Sequence, residues 1–350
     1  MQNLNFRIEA TDSHARAGTM TIKGNKINTP TFMPVATRGA IKGLPMDLMR
    51  EINNDIILCN TYHLLLKPGS KVIDKLGGLH NYINWDNYIL TDSGGFQAWS
   101  LGANQTPKGI EFKSVYDGSN LLMTPEISIK TQEELGSDIA MVLDSLVSMN
   151  SPHSEINESI NRTSDWSAIA KNIHSNKNQS LFGIIQGGIS PEHRERSVRN
   201  ITDISFDGYA IGGLSVGEDI TDRIRVVELC VSLIDEIKPI YVMGLGDVSG
   251  MLDLIELGVD MFDCVWPTRL ARHGKIIDGA SYINIKNEKY KHDSQPLVTN
   301  CKCITCKSYS RSYINHLIKN EETSAWPYLV FHNLYQTKDI IDKAREAILL

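Results

Sequence analysis

Leu181-Phe182-Gly183-Ile184-Ile185-Gln186-Gly187-Gly188 is an apolar run that stops at a carboxamide and a glycine pair. Gly208-Tyr209-Ala210-Ile211-Gly212-Gly213 repeats the device after a polar, helix-like stretch. A run this short, bounded by glycines, reads as a strand buried on both faces. The same punctuation recurs outward from it: Thr29 to Ala36, Asp55 to Asn60, Tyr88 to Asp92 and Ile139 to Asp144 upstream, Ile240 to Gly246 and Met261 to Asp263 downstream. Eight such runs separated by longer polar segments make a closed (β/α)8 barrel the economical fold, with the strand C-termini sharing one mouth. Three of those ends carry a carboxylate (Asp92, Asp144, Asp263) and a fourth carries Gln186, so four chemically capable side chains are expected to converge there.

The chain has 350 residues, 41% of them hydrophobic, enough for one elaborated barrel. Its net charge of -6 argues against an indiscriminate polyanion binder. The charge is uneven, however: between Arg269 and Lys319 ten Lys or Arg stand against three acids, the local basic face of a selective nucleic-acid binder. The start, Met1-Gln2-Asn3-Leu4-Asn5, is polar, and no apolar run approaches about 18 residues. A cytoplasmic protein that makes no use of a membrane is expected.

Cys59, Cys230 and Cys264 lie in apolar surroundings and read as buried small hydrophobes. Cys301, Cys303 and Cys306 fall on one tight knuckle, which suits three thiolates on tetrahedral zinc. A fourth ligand must come from downstream, where His316 and His332 are the candidates. His316 lies in a stretch, Ser310 to Lys319, that an amphipathic helix would place at the surface. His332 follows the apolar Tyr328-Leu329-Val330-Phe331, where a polar ring needs a partner, and is preferred. With no open position evident, the metal's role would be structural. The division expected is a single barrel domain over 1–350 with a zinc-binding subdomain at about 284–335.

The strand-end motifs each have a plain reading. Asp92-Ser93-Gly94-Gly95-Phe96 is a turn or helix cap, or else a carboxylate beside a close backbone approach and an aromatic face. The glycines after Gln186 and at Gly212-Gly213-Leu214 expose backbone without the lysine of a P-loop. Asp263, inside the apolar Met261-Phe262-Asp263-Cys264-Val265, either pairs with Arg269 or Arg272 or faces a site.

Taken in order, these residues, with His14-Ala15-Arg16-Ala17-Gly18, Thr29-Pro30-Thr31-Phe32-Met33-Pro34-Val35, Asn60-Thr61-Tyr62-His63 and His332-Asn333-Leu334, resemble those of the tRNA-guanine transglycosylases over almost the whole chain. The resemblance implies an irregular (β/α)8 TIM barrel with a C-terminal zinc-binding subdomain. It implies a glycosyltransferase of queuosine modification that exchanges the wobble guanine of tRNAs with GUN anticodons for a 7-deazaguanine base. It further implies Asp263 as nucleophile and Asp92 as general acid/base. Asp144, Gln186, Gly213 and Leu214 would read the base, between walls of Phe96 and Met243. Arg269 and Arg272 would contact tRNA at its anticodon loop, and Cys301, Cys303, Cys306 and His332 would hold one structural Zn2+. A homodimer is expected, Tyr309, Tyr313 and His316 matching aromatic positions of the family's interface. The competing readings, a non-catalytic RNA-binding partner subunit and a two-carboxylate barrel glycoside hydrolase, leave respectively the three acids and the zinc lobe unexplained.

The chain departs from the common bacterial pattern at several pocket positions. Asp144 is followed by Ser145-Leu146-Val147 rather than Glu-Cys-Thr, whereas Val216 keeps the bacterial residue, and Asp247 stands where a lysine is frequent. The apolar Leu146 is expected to weaken the preference for a charged aminomethyl base, and Val216 to restrict queuine.

Overall fold

The computed structural model describes residues 4–148, 151–214 and 217–350. A closed barrel of eight parallel strands is formed by β1 (Thr31–Ala36), β2 (Ile56–Cys59), β3 (Tyr88–Thr91), β4 (Ile139–Met141), β5 (Ser180–Ile185), β6 (Gly208–Ile211), β7 (Ile240–Val242) and β8 (Met261–Cys264). All eight anticipated runs are present, and the pairing of Phe262 with Phe32 closes β8 onto β1. β2 through β7 are buried along their whole length, which is why they read as continuous apolar runs rather than as alternating ones. Gly208 has a packing reason, since a Cβ there would meet Phe182 Cζ at 2.4 Å.

Several strands are shorter than their apolar runs. Thr29 ends a separate antiparallel strand, Asn25–Thr29, and β1 begins only at Thr31. The residues from Leu143 to Asp144 and from Met243 to Gly246 lie beyond their strands, and Asp144, Met243 and Gly244 among them line the cavity at the mouth. A long helix spans His153–Ile173, and Ser310 is the N-cap of Arg311–Lys319, its hydroxyl accepting from Tyr313 N.

Three additions surround the barrel. A sheet of Leu4–Asp12, Ala15–Ile22 and Asn25–Thr29 is tied to the strand N-termini by a buried ion pair, in which Arg16 Nε donates to Asp260 Oδ1 at 3.0 Å. Asp260 Oδ2 in turn accepts from Ile240 N at 2.7 Å, so this carboxylate organises the end of the barrel opposite the mouth. Between β3 and β4 lie helix Gly95–Ser100 and a small sheet, Asn104–Thr106, Gly109–Lys113 and Asn120–Met123, with its own core of Tyr62, Ile110, Phe112, Met123, Leu143 and Trp166. After β8 come helix Trp266–Arg272, hairpin Lys275–Asp278 and Ser281–Asn284, helices Ile304–Ser308 and Arg311–Lys319, and the closing helix Ala325–Leu349. The last of these returns to the N-terminal sheet, where Arg345 Nη1 donates to the Gly18 carbonyl at 2.7 Å. Among the described residues no helix is long and apolar enough to cross a membrane.

Candidate active site

The strand C-termini enclose a cavity of about 260 Å3, whose lining includes Asp92, Asp144 and Asp263 together with Phe96, Gly213, Leu214 and Met243. Each carboxylate is held differently. Asp263, on β8, uses one oxygen for two donors: the Tyr241 hydroxyl at 2.5 Å and Gly244 N at 2.8 Å, both directed at Oδ1. Its Oδ2 accepts from no described residue. Neither Arg269 nor Arg272 pairs with it. Arg269 is exposed and Arg272 half-buried on helix Trp266–Arg272, and Arg272 Nη1 donates to the carbonyls of Thr268 at 3.0 Å and Lys42 at 3.3 Å. Of the two readings of Asp263, the structure therefore supports the one in which it faces a site.

Asp92 follows β3 and is gripped by the start of helix Thr61–Leu66. Asn60 Nδ2 donates to Oδ2 at 2.5 Å, and Thr61 N and Gly94 N to Oδ1 at 2.9 and 3.1 Å. Burial nevertheless raises its pKa to about 7, and the neighbouring Asp263 charge adds to the rise. Burial also raises Asp263, against the two donors that favour its charged form.

Asp144 is fully buried, and burial lifts it to about 6 although it accepts from Gln186 Nε2 at 2.6 Å and Ser93 Oγ at 3.2 Å. Gln186 is buried with it, bonded to Asp144 and lying behind Gly212 and Gly213 rather than on the cavity wall. Gly213 has φ +67°, and a Cβ there would come within 2.4 Å of Gln186 Oε1, so both conformation and space require glycine. Gly95 is similar in effect: a Cβ would press on Asp144 Oδ1 at 3.1 Å.

The apolar walls come from Val35, Leu58, Leu146, Leu214 and Met243, with Phe96 at the edge, 46% exposed and available to a flat ring. Val216 lies outside the described residues. Asp247 caps helix Val248–Ile255 by accepting from Gly250 N at 2.8 Å, which accounts for a carboxylate at that position. Cys264, expected to be buried, instead lines the cavity beside Asp263, with its thiol pushed up to about 12 by burial and therefore protonated. Tyr241, Asn60 and Ser93 were missed as site residues; the available signal was a tyrosine inside a buried run, whose hydroxyl must find a partner.

Away from the mouth, Cys301, Cys303, Cys306 and His332 bring four ligand atoms within 4.8 Å of one another. The thiol sulfurs stand 3.7, 3.4 and 3.3 Å from His332 Nδ1. Ligands at zinc-like bond lengths on tetrahedral corners would stand about 3.6 Å apart, so the group can hold a metal ion. His332 Nε2 is 3.0 Å from the Ile277 carbonyl, which fixes that nitrogen as the donor and presents Nδ1 to the sulfurs. His316 is exposed on helix Arg311–Lys319, near Asn320, and takes no part.

A (β/α)8 barrel with three carboxylates at its mouth and a Cys3His group in a late lobe defines a class of barrel enzyme. A family model described as queuine tRNA-ribosyltransferase matches residues 11–349, and the chain belongs to that family. Among curated relatives, the queuine tRNA-ribosyltransferase of Fusobacterium nucleatum is 44% identical over 348 residues, covering 98% of this chain and 93% of its own. That of Halothermothrix orenii is 44% identical, covering 96% and 91%, and that of Helicobacter pylori strain G27 is 44% identical, covering 99% and 95%.

Proposed function

We propose that this chain exchanges the wobble guanine of tRNAs with GUN anticodons for a 7-deazaguanine base, as a step of queuosine modification. The observation that carries the reading is Asp263, with one oxygen pinned by Tyr241 and Gly244 and the other without a partner among the described residues, beside a second carboxylate whose pKa is about 7. Asp263 Oδ2 forms a bond to ribose C1′ as the glycosidic bond breaks, and guanine leaves with the electron pair on its ring nitrogen. Asp92 supplies the proton to that nitrogen, then removes one from the incoming base, whose attack on C1′ releases Asp263. A pKa near neutrality suits both duties. Exchange of radiolabelled guanine into unmodified tRNA tests the reading, and no incorporation would end it.

Ionised Asp144 accepts the N1–H and 2-amino hydrogens of guanine and the Gly213 N–H donates to its carbonyl oxygen, a pattern adenine cannot satisfy, while Gln186 serves the base through its bond to Asp144. Leu214 completes that edge, and Phe96 and Met243 flank the ring. Flipping is inexpensive in a single-stranded anticodon loop, whose backbone Arg269 and Arg272 contact. The metal of the Cys3His group is a structural Zn2+ held by Cys301, Cys303, Cys306 and His332, whose chemistry is to cross-link the lobe at about 284–335 within one domain spanning 1–350. Tyr313 and His316, exposed on one face of their helix, with Tyr309 stacked 5.2 Å from Tyr313, suit a homodimer contact. The protein works in the cytoplasm, where its tRNA substrate is found.

Base binding should fail on acidification. Asp144 accepts two N–H groups only while ionised, so the KM for guanine is expected to rise about tenfold per pH unit below about 6. The same group opposes folding. Its folded pKa exceeds its unfolded value of 3.8, so stability falls as pH rises from about 4 to about 6 and stays reduced above that. Asp144→Asn is expected to flatten the pH dependence, to weaken guanine at neutral pH, and to raise Tm at pH 8. A variant retaining the wild-type acid limb would remove Asp144 from base reading.

Leu146 is 6% exposed on the cavity wall and offers hydrocarbon, with no partner for an ammonium. We expect both 7-aminomethyl-7-deazaguanine and queuine to be accepted, with queuine closer in efficiency than in a typical bacterial member, and Val216→Gly to improve queuine specifically. In competition on one tRNA, queuine that displaces no guanine at any concentration would overturn the argument from Leu146.

A further inference from the structure

On the rim of the mouth, outside the cavity, Tyr116 is bracketed by two cations. The Arg38 guanidinium carbon lies 5.5 Å from its ring centroid and Lys67 Nζ 5.6 Å from it. His63 Nδ1 approaches the Tyr116 hydroxyl at 3.3 Å, and the two rings meet edge-on. Arg38 and Lys67 are exposed, whereas His63 and Tyr116 are half-buried. Three segments far apart in sequence supply this cluster, and two of them also build the cavity. Arg38 follows Thr37, a wall residue, and His63 belongs to helix Thr61–Leu66, whose N-cap Asn60 lines the cavity and holds Asp92, with Lys67 at its far end. Tyr116 projects from the turn after strand Gly109–Lys113.

The cations are not consumed locally. Neither Arg38 nor Lys67 forms an ion pair with a carboxylate among the described residues. The adjacent acid, Asp117, turns its carboxylate to Ser119, accepting from its hydroxyl at 2.8 Å and its N–H at 3.2 Å. Burial, reinforced by the Arg38 charge, pushes His63 below its ordinary value, so its ring is neutral near pH 7 and the positive charge rests on Arg38 and Lys67. Two cations without a carboxylate partner beside one aromatic ring are costly to keep together unless an anion joins them, and the ring holds them in place with little further loss of side-chain entropy.

We propose that Arg38 and Lys67, positioned by Tyr116, form an RNA-backbone subsite that grips a phosphate next to the nucleotide seated in the cavity. The proposal rests on the reading of the mouth as a site for a nucleotide within RNA. A nucleotide swung into a closed pocket brings its flanking phosphates down on the rim, where phosphate contacts fix register without reading sequence. This subsite is built from segments other than helix Trp266–Arg272, so it would hold the loop at a point independent of Arg269 and Arg272.

The test uses the full-length protein and a fluorescently labelled, unmodified anticodon stem-loop, with Kd measured by anisotropy across a salt series. The double variant Arg38→Gln/Lys67→Gln should reduce the slope of log Kd against log salt by about 0.7 to 0.9, the signature of one lost phosphate contact, and each single variant by part of that. At physiological ionic strength the double variant is expected to bind about tenfold more weakly. Its KM for tRNA should rise in parallel while that for free guanine does not. Wild-type Kd and slope in the double variant would overturn the subsite. So would a changed sedimentation coefficient with unchanged RNA affinity, which would make the cluster a contact between copies of this chain. Failure of the wild-type protein to exchange guanine would strike the parent reading instead, and the salt slopes would still decide the subsite.

Discussion

Asp263→Asn is expected to abolish the covalent RNA adduct and to lower guanine exchange on the order of 10^4-fold or more, the scale seen when a nucleophile is removed from a preorganised site. The substitution is close to isosteric, and an amide oxygen at the Oδ1 position still accepts from Tyr241 and Gly244 N, so the β8 end keeps its anchoring. Fold and stem-loop affinity should therefore persist. What is lost is the anionic Oδ2, since an amide neither attacks C1′ nor stabilises the positive charge developing on the ribose. The measurement is a denaturing gel of protein mixed with tRNA. The wild-type protein should give a band of slower mobility that survives denaturation, and the variant none. Normal exchange by Asp263→Asn would transfer the nucleophile's role elsewhere, with Asp92 the next carboxylate along the cavity wall.

The second large effect concerns the Cys3His group. The purified protein is expected to hold one zinc per chain, and His332→Ala to remove most of it, because a buried Nδ1 within 3.7 Å of each of the three sulfurs has no substitute among the described residues. His316→Ala should leave zinc unchanged. Structural zinc contributes several kcal/mol to folding, and at a few degrees per kcal/mol its loss should lower Tm by roughly 10 °C. The expected dependence of the lobe on a metal has a physical reason. The residues from 284 to 303 contain a single 3-10 turn, Glu288–Tyr290, and little regular structure to hold them, so cross-linking the knuckle to the closing helix replaces packing that the segment lacks. Metal analysis on the two variants checks this. Zinc lost from His316→Ala and kept by His332→Ala would move the fourth ligand.

The barrel was legible because six of its strands, β2 through β7, are buried along their whole length, and such strands write themselves as continuous apolar runs with glycine or a polar residue at the end. The sheet at residues 104–123 and the hairpin and small sheet at the two ends of the chain were not. The strands of the middle sheet and of the hairpin are mostly short and partly exposed, so their patterns do not separate from those of loops, and the two long strands at the start of the chain, Leu4–Asp12 and Ala15–Ile22, mix polar and apolar residues without a terminal glycine to mark them.

By itself, the order of residues determined which groups stand at the strand ends and that three thiols share a knuckle. Carboxylate, amide and thiol are properties of the covalent chain, and their spacing relative to each strand is read directly. Only the tertiary structure decided how they act. Asp263 is oriented by a tyrosine and a backbone N–H from β7 and the residues after it, Asp92 is raised to about 7 by burial despite three donors, and Gln186 is placed behind Gly213, bonded to Asp144. His332 was already preferred over His316 for its apolar neighbours, but the ring's tautomer is fixed only where its helix passes a hairpin and meets the Ile277 carbonyl, across a separation no spacing rule reaches. Solvation and hydrogen bonding are set by neighbours in space, and in a closed barrel most of those neighbours come from another strand, far away along the chain.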